Sequence, residues 1–341
     1  MNILNLEGQY FVPYFRRAGH QVLTIGPGPG HDLPLAQPLS LAELWAFLQG
    51  RGFLPDLVVW NDICRPPAVI GFERLPAVTI GYSIDQYCNP WHVHYSAAFD
   101  LILVAQRDYL PLFQKDGLPR RCQWFPLFCD PATDKDLKLE RDLPVSFVGT
   151  LKSPLNPGRW PFLQEFQQHH PLHLDQGAYA PIFARSQLVL NQSAVGELNF
   201  RLFQGMACGA AVLTEQTLNG LRNLFIPGEE ILTYPKGDAP AAARQAREAL
   251  AQPDRLRALA QAGRRKVLME HSAPVRAKKL LAWAEELSRS DSRQFRQKNQ
   301  ERLSREMAQA YLLLATDGEL GLPAPLRQFY ADLGMTYAAA P

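Results

Sequence analysis

The sequence predicts an α/β protein of two Rossmann-like domains, each a parallel sheet flanked by helices. Three observations predict it. With 341 residues, the chain exceeds the length at which a single hydrophobic core usually keeps growing, so two domains are the default. Short apolar runs alternate with helical patterns along most of the chain, as expected for strands joined by crossover helices. The stretch Ser186 to Thr214, SQLVLNQSAVGELNFRLFQGMACGAAVLT, reads as buried strand, loop, short helix and second buried strand, the repeating unit of such a sheet.

The first domain is placed at residues 1–143. It opens with a strand at Ile3 to Leu6, a helix over Gln9 to Ala18 ended by Gly19, and a strand at Gln21 to Ile25. A helix over Leu41 to Leu48 precedes a strand at Leu57 to Trp60, and strands at Val78 to Ile80, Leu101 to Val104 and Cys122 to Phe125 complete the set. The segment IGPGPGHD, Ile25 to Asp32, is only superficially like a dinucleotide loop. Pro27 and Pro29 have no N–H to offer a phosphate and no helix starts there, so a turn is expected.

Asp134 to Asp142, DKDLKLERD, is charged and weakly apolar and reads as the linker. The second domain, residues 144–272, starts with a strand at Val145 to Val148. A helix at Pro161 to His169, a short strand at Leu172 to Leu174 and a helix at Tyr179 to Arg185 follow. After the strand Leu188 to Leu190, Asn199 is placed to cap a helix with Phe200, Phe203 and Ala207 on one face and Arg201, Gln204 and Cys208 on another. Gly209 ends that helix and Ala211 to Leu213 re-enter the sheet. Ala241 to Ala251 and Arg255 to Ala262 are amphipathic helices, and a crossing helix lies within residues 273–290. Residues 291–341 form a helical tail of unassigned role. Its Phe295, Leu303, Met307, Tyr311 and Leu314 share a face suited to docking or to a homodimer.

Composition narrows the function. The 35 basic against 33 acidic residues, a formal charge of +2, argue against nucleic acid as a partner. Five cysteines without paired spacing fit a reducing compartment. No signal peptide is read at the N-terminus and no apolar stretch is long enough for a membrane span, so a cytoplasmic location is expected.

Candidate site residues gather at strand ends. Gly149 lets a ligand approach the backbone, while Thr150 and Lys152 bring a hydroxyl and a cation. The helix that starts near Asn199 offers backbone N–H groups and a positive dipole end, with Arg201 beside it, and a diphosphate suits that place. The bland alternative is an ordinary α/β unit whose Arg201 faces solvent. Arg159 would add a second cation, and Tyr179 either stacks on a base or packs its own helix. In the stretch YSIDQYCNPWHVHYS, Asp85 and His92 could position a hydroxyl or act as a base. They could equally be a cap and a satisfied surface histidine. Cys88, His92 and His94 match no common zinc spacing, so no metal is expected.

The run N-F-R-L-F-Q-G-M-A-C-G-A-A-V-L-T, with F-V-G-T-L before it and L-F-I-P-G-E-E-I-L-T-Y after it, resembles the donor half of GT-B glycosyltransferases. Within that fold it is most similar to the CgeB-like family, also known as group 1 glycosyltransferases. Phe99, Asp100 and Ala105 match that family's F-D-x-x-L/V-x-A pattern, and His271 and Arg276 its H-x-x-x-x-R. The resemblance reaches Leu287 and leaves the tail uncovered. It implies two parallel-sheet domains facing a central cleft, and metal-independent transfer from a nucleotide-sugar, without cofactor, to a glycan, protein, lipid-linked or small-molecule acceptor. Gly149, Thr150, Lys152 and Arg201 would surround the diphosphate, with Tyr179 and Gln204 toward the nucleoside. Asn191, Glu197 and Asn199 would complete the donor side, and Asp85 and His92 would serve the acceptor.

The chain departs from the family at two places. Gly196 and Gln204 stand where two glutamates are expected, with Glu197 one position late. Gln204 accepts a hydrogen bond from a ribose hydroxyl but supplies no charge-assisted one. The resemblance implies retention of configuration, whereas Asp85 acting as a base would imply inversion. Loss of the ribose glutamate leaves a second reading open, a non-catalytic GT-B scaffold of a glycan or surface-modification pathway.

Overall fold

The computed structural model describes residues 1–114 and 121–339. They form two compact units, one of Met1–Phe125 with Ala277–Pro341 and one of Pro126–Arg276.

The first unit holds seven strands: β1 (Asn2–Glu7), β2 (Gln21–Pro27), β3 (Leu33–Leu35), β4 (Leu57–Asn61), β5 (Val78–Ser83), β6 (Leu101–Val104) and β7 (Cys122–Trp124). Their order is β3-β2-β1-β4-β5-β6-β7, and every pairing is parallel. Such a sheet is covered on both faces, and β4 accordingly reads LVVWN with all its residues buried. The predicted strands are all present. β3 was not foreseen; its Pro34 is tolerated because β3 is an edge strand. Between β2 and β3 the chain turns through Gly28 at φ +100°, as the turn reading of Ile25 to Asp32 requires.

The second unit holds β8 (Leu143–Val148), β9 (His173–Asp175), β10 (Ser186–Asn191), β11 (Ala211–Glu215) and β12 (Leu232–Tyr234), in the order β12-β11-β10-β8-β9, again all parallel. Phe147, Leu188, Leu190 and Leu213 from the sheet pack with Phe162 and Phe166 from the helix Arg159–His169. The helix Phe200–Ala207 runs as predicted from Asn199 to Gly209, whose φ of +85° ends it.

The unit boundaries differ from those read in sequence, 143/144 and 272/273. Arg141 donates to the carbonyls of Ser186 (2.6 Å) and Cys208 (3.1 Å), and Arg276 donates to that of Pro126 (3.0 Å). Residues 126–143 are therefore held by the second unit, because cations inside a charged-looking linker cap buried carbonyls there.

The tail belongs to the first unit. Leu303, Met307, Tyr311 and Leu314, on the helix Gln300–Thr316, are fully buried in one core with Trp60, Trp91 and Tyr95. The predicted apolar face is real, and the unit's own surface covers it rather than a second copy. Among the described residues no helix is long and apolar enough to cross a membrane.

Candidate functional site

In an open parallel sheet, ligands sit beyond the carboxyl ends of the strands where the strand order reverses. In the second unit that point lies between β8 and β10. Arg201 bridges it. Its Nε donates to the Val148 carbonyl at 2.8 Å, and its Nη1 donates to Asn191 Oδ1 at 2.9 Å. Asn191 is itself fixed by a 2.9 Å bond to Thr214 Oγ1. The Arg201 guanidinium lies over the Phe147 ring, 4.1 Å from its centroid.

Gly149 makes this approach feasible. Its φ is +148°, and a Cβ there would run into Arg201 Nη2. Arg159, at the start of its helix, joins the same cluster: Nε donates to Gln192 Oε1 at 3.0 Å and Nη1 to the Thr150 carbonyl at 2.9 Å. Its guanidinium stands 5.6 Å from the same Phe147 ring. Two like charges are thus brought together on one aromatic ring. Burial, and then the Arg159 charge, pull the Arg201 pKa below the usual guanidinium range. An anion bound there relieves both costs.

The other donor-side candidates take varied places. Thr150 and Lys152 are exposed on the turn after β8, with Lys152 Nζ 5.0 Å from the Trp160 ring. Asn199 precedes the helix at extended φ and ψ, yet its side chain makes no capping bond and its Oδ1 has no hydrogen-bond partner. Gln204 is half-buried one turn further on. Glu197 accepts the amides of Ala194 (2.9 Å) and Val195 (2.8 Å), so its carboxylate closes the loop that leads to the helix. Gly196, where the family has a glutamate, has φ +95°, and a Cβ there would lie 3.2 Å from Thr217 Oγ1. The departure at this position is conformational. Tyr179 donates to Asp134 Oδ1 at 2.7 Å, and its ring packs on Phe183.

In the first unit, Asp85 lies half-exposed just after β5. His92 has a fully buried side chain: Nδ1 meets Ser83 Oγ at 2.8 Å, Nε2 stands 3.8 Å from Asp62, and the ring packs on Trp60 and Trp91. Burial lowers its pKa, so the ring is held neutral. His92 is thus enclosed between Ser83 and the two tryptophans at the end of β5. His94 pairs with Glu306 of the tail at 2.7 Å. Asp62, which sequence patterns did not single out, directly follows β4 and accepts the amides of Cys64, Ile84 and Asp85. An acid directly after a buried strand was the available signal. The Pro154 to Pro157 segment ahead of Arg159 makes the direction of that side chain unreadable from sequence.

Outside these ends, Arg276 joins His271 at 3.0 Å and is 4% exposed, and it donates to the carbonyls of Pro126 and Leu127, so the H-x-x-x-x-R pattern fastens that segment. Among the described residues no group of three or more histidine, cysteine or acidic side chains is arranged to hold a metal.

Residues 121–282 match the family model described as glycosyl transferase-like. No curated protein matches the chain. Among solved structures, the chain is similar to a glycosyltransferase from Rickettsia africae, with TM-score 0.64 at 11% identity over 85% of this chain and 99% of that one. It is likewise similar to HepE of Anabaena in complex with UDP-glucose, with TM-score 0.62 at 13% identity over 84% of this chain and 100% of that one. An α,α-trehalose-phosphate synthase from Burkholderia vietnamiensis gives TM-score 0.59 at 10% identity, over 83% and 99% of the two chains. Two parallel-sheet units in these strand orders give the chain the GT-B fold of these neighbours, and its segment 121–282 is glycosyl transferase-like.

Proposed function

We propose that this protein transfers a sugar from a nucleoside diphosphate sugar, with the donor diphosphate held at the switch point of the second unit. The observation that carries the reading is the pair of guanidinium groups, Arg201 and Arg159, on one phenylalanine ring beside a helix start. Transfer builds negative charge on the leaving diphosphate, and fixed cations placed there lower the barrier. Two arginines and Lys152 supply that charge from the chain itself, so the reaction calls for no metal. The Gly149 turn lets the phosphates approach the backbone, and Gln204 accepts from the ribose. HepE, one of the similar structures, binds UDP-glucose, which favours a UDP-sugar. Asp85 orients the acceptor hydroxyl from the first unit, and the resemblance to group 1 enzymes favours retention of configuration.

Calorimetry of the full chain against UDP-, GDP-, ADP-, CMP- and dTDP-sugars tests the donor assignment. One nucleotide class should bind, and Arg201→Ala should weaken it about ten- to a hundredfold, the range for a hydrogen bond to a charged group. No binding at millimolar donor overturns the assignment. Binding without transfer or slow hydrolysis selects the non-catalytic scaffold instead. The anomeric proton of the product, read by NMR, decides between retention and inversion.

A further inference from the structure

Cys64 and Cys88 stand with their sulfurs 4.0 Å apart on the first unit. Cys64 lies on the loop after β4 and Cys88 on the loop after β5, which are neighbours in the sheet. A single carboxylate holds both loops. Asp62 Oδ1 accepts the Cys64 amide at 2.7 Å, and its Oδ2 accepts the amides of Ile84 and Asp85, each at 3.0 Å. Cys64 is thereby kept at φ +57°, a conformation that a residue with a Cβ adopts only when its surroundings enforce it. The Asn89 amide lies 3.6 Å from the Cys64 sulfur and 3.4 Å from that of Cys88.

The other three cysteines differ. Cys129 and Cys208 are buried and Cys122 is half-buried, and burial pushes each of these thiols up to about 12. Cys64 is exposed, and hydrogen bonding from Cys88, then from Asn89, outweighs burial and holds its thiol down at about 6. The thiolate is the form that reacts, and Cys64 is the thiol of the set shifted toward it.

We propose that Cys64 and Cys88 are a thiol modification site that closes to a reversible disulfide when a peroxide acts as oxidant. The Cys64 thiolate attacks the peroxide; an S–O bond forms, the O–O bond breaks, and hydroxide leaves, so sulfur is oxidised by two electrons and the peroxide reduced. The Cys88 sulfur then attacks the Cys64 sulfenic acid; the S–S bond forms, the S–O bond breaks, and the Cys88 proton leaves with the oxygen as water. Closing to a disulfide of about 2.05 Å asks the two loops to approach by about 2 Å. The Cys88 loop carries Asp85, whose carbonyl accepts from the Cys88 thiol at 3.4 Å, so the disulfide fixes the segment that holds the acceptor-side acid. That consequence for transfer rests on the role proposed for Asp85; the disulfide itself does not.

The test treats the full chain at pH 7 with a few equivalents of hydrogen peroxide, then counts thiols in denaturant and maps peptides by mass spectrometry. The count should fall from five to three, with one peptide joining Cys64 to Cys88, and dithiothreitol should restore all five. In Cys88→Ser, Cys64 alone should yield a dimedone adduct. Oxidation of Cys64 and Cys88 to separate sulfinic acids, or five thiols surviving, overturns the proposal. The wild-type peptide map decides the matter even if the variant fails to fold. Thiol counting is independent of donor calorimetry, so failure of the glycosyl-transfer reading leaves this result standing and the converse also holds.

Discussion

Arg201 rests against Gly149, the residue whose missing side chain leaves room for its guanidinium. The arginine is anchored there by the 2.8 Å bond from its Nε to the Val148 carbonyl. Placement of the cation therefore depends on a residue that carries no functional group. Gly149→Ala should cost about 1–3 kcal/mol of stability in the second unit, from the left-handed φ of +148°. It should also weaken donor binding as much as Arg201→Ala does, because the displaced guanidinium loses its seat. Thermal melting and calorimetry read the two effects separately, and unchanged donor affinity in a folded variant would sink the assignment.

The tail is fastened by charge as well as by apolar packing. Arg296, 1% exposed, donates from Nε to Asp100 Oδ1 at 3.0 Å and from Nη2 to the Ala77 carbonyl at 2.7 Å. Asp100 in turn accepts the Thr79 amide at 2.9 Å. Arg296→Ala leaves this carboxylate buried and unpaired, which costs about 3–5 kcal/mol. Urea denaturation followed by tryptophan fluorescence suits the measurement, since Trp45, Trp60, Trp91, Trp124 and Trp283 lie in the first unit and only Trp160 in the second. Adding Asp100→Ala to the variant should recover part of the loss. A shift under about 1 kcal/mol would place the pair among exposed ones, against its burial.

Much of this was legible in the chain. Apolar runs such as LVVW and LILV admit few places other than a doubly covered strand, and the helix after Asn199 carried both its start and its glycine stop. The tail's face was legible from spacing, but its partner was not, because periodicity reports that a face is buried without naming what covers it. Loop side chains were the weak point. Glu197 looked like a sugar ligand, yet it accepts two amides of its own loop. His92 looked like an acceptor-side base, yet the aromatic residues around it enclose the ring. Asp134 lay in the apparent linker, and nothing local announced that Tyr179 would donate to it from 45 residues away. In each case the direction of a short polar side chain is set by tertiary contacts that no local pattern encodes.

Glu7 supplies a pH dependence of unusual sign. It ends β1 beside β4, at the switch point of the first unit, and is 2% exposed. Burial raises its pKa to about 8, with Asp62 adding to the rise, against bonds from Ala68 N (2.8 Å) and Trp60 Nε1 (2.9 Å) that favour the charged form. In the unfolded chain the same group ionises near 4.5. Between those values the unfolded chain has released its proton while the folded one keeps it. Stability from this group is thus complete below about 4.5, falls as pH rises, and levels off above about 8. The slope is at most about 1.4 kcal/mol per pH unit. Glu7→Gln removes it, so melting of the first unit at pH 5 to 8 should fall more steeply in the wild type than in the variant. Titrations shared by both proteins cancel in that difference. Parallel curves would mean that Glu7 is already charged in the folded chain at pH 5, with Asp62 as a second carboxylate at the same switch point.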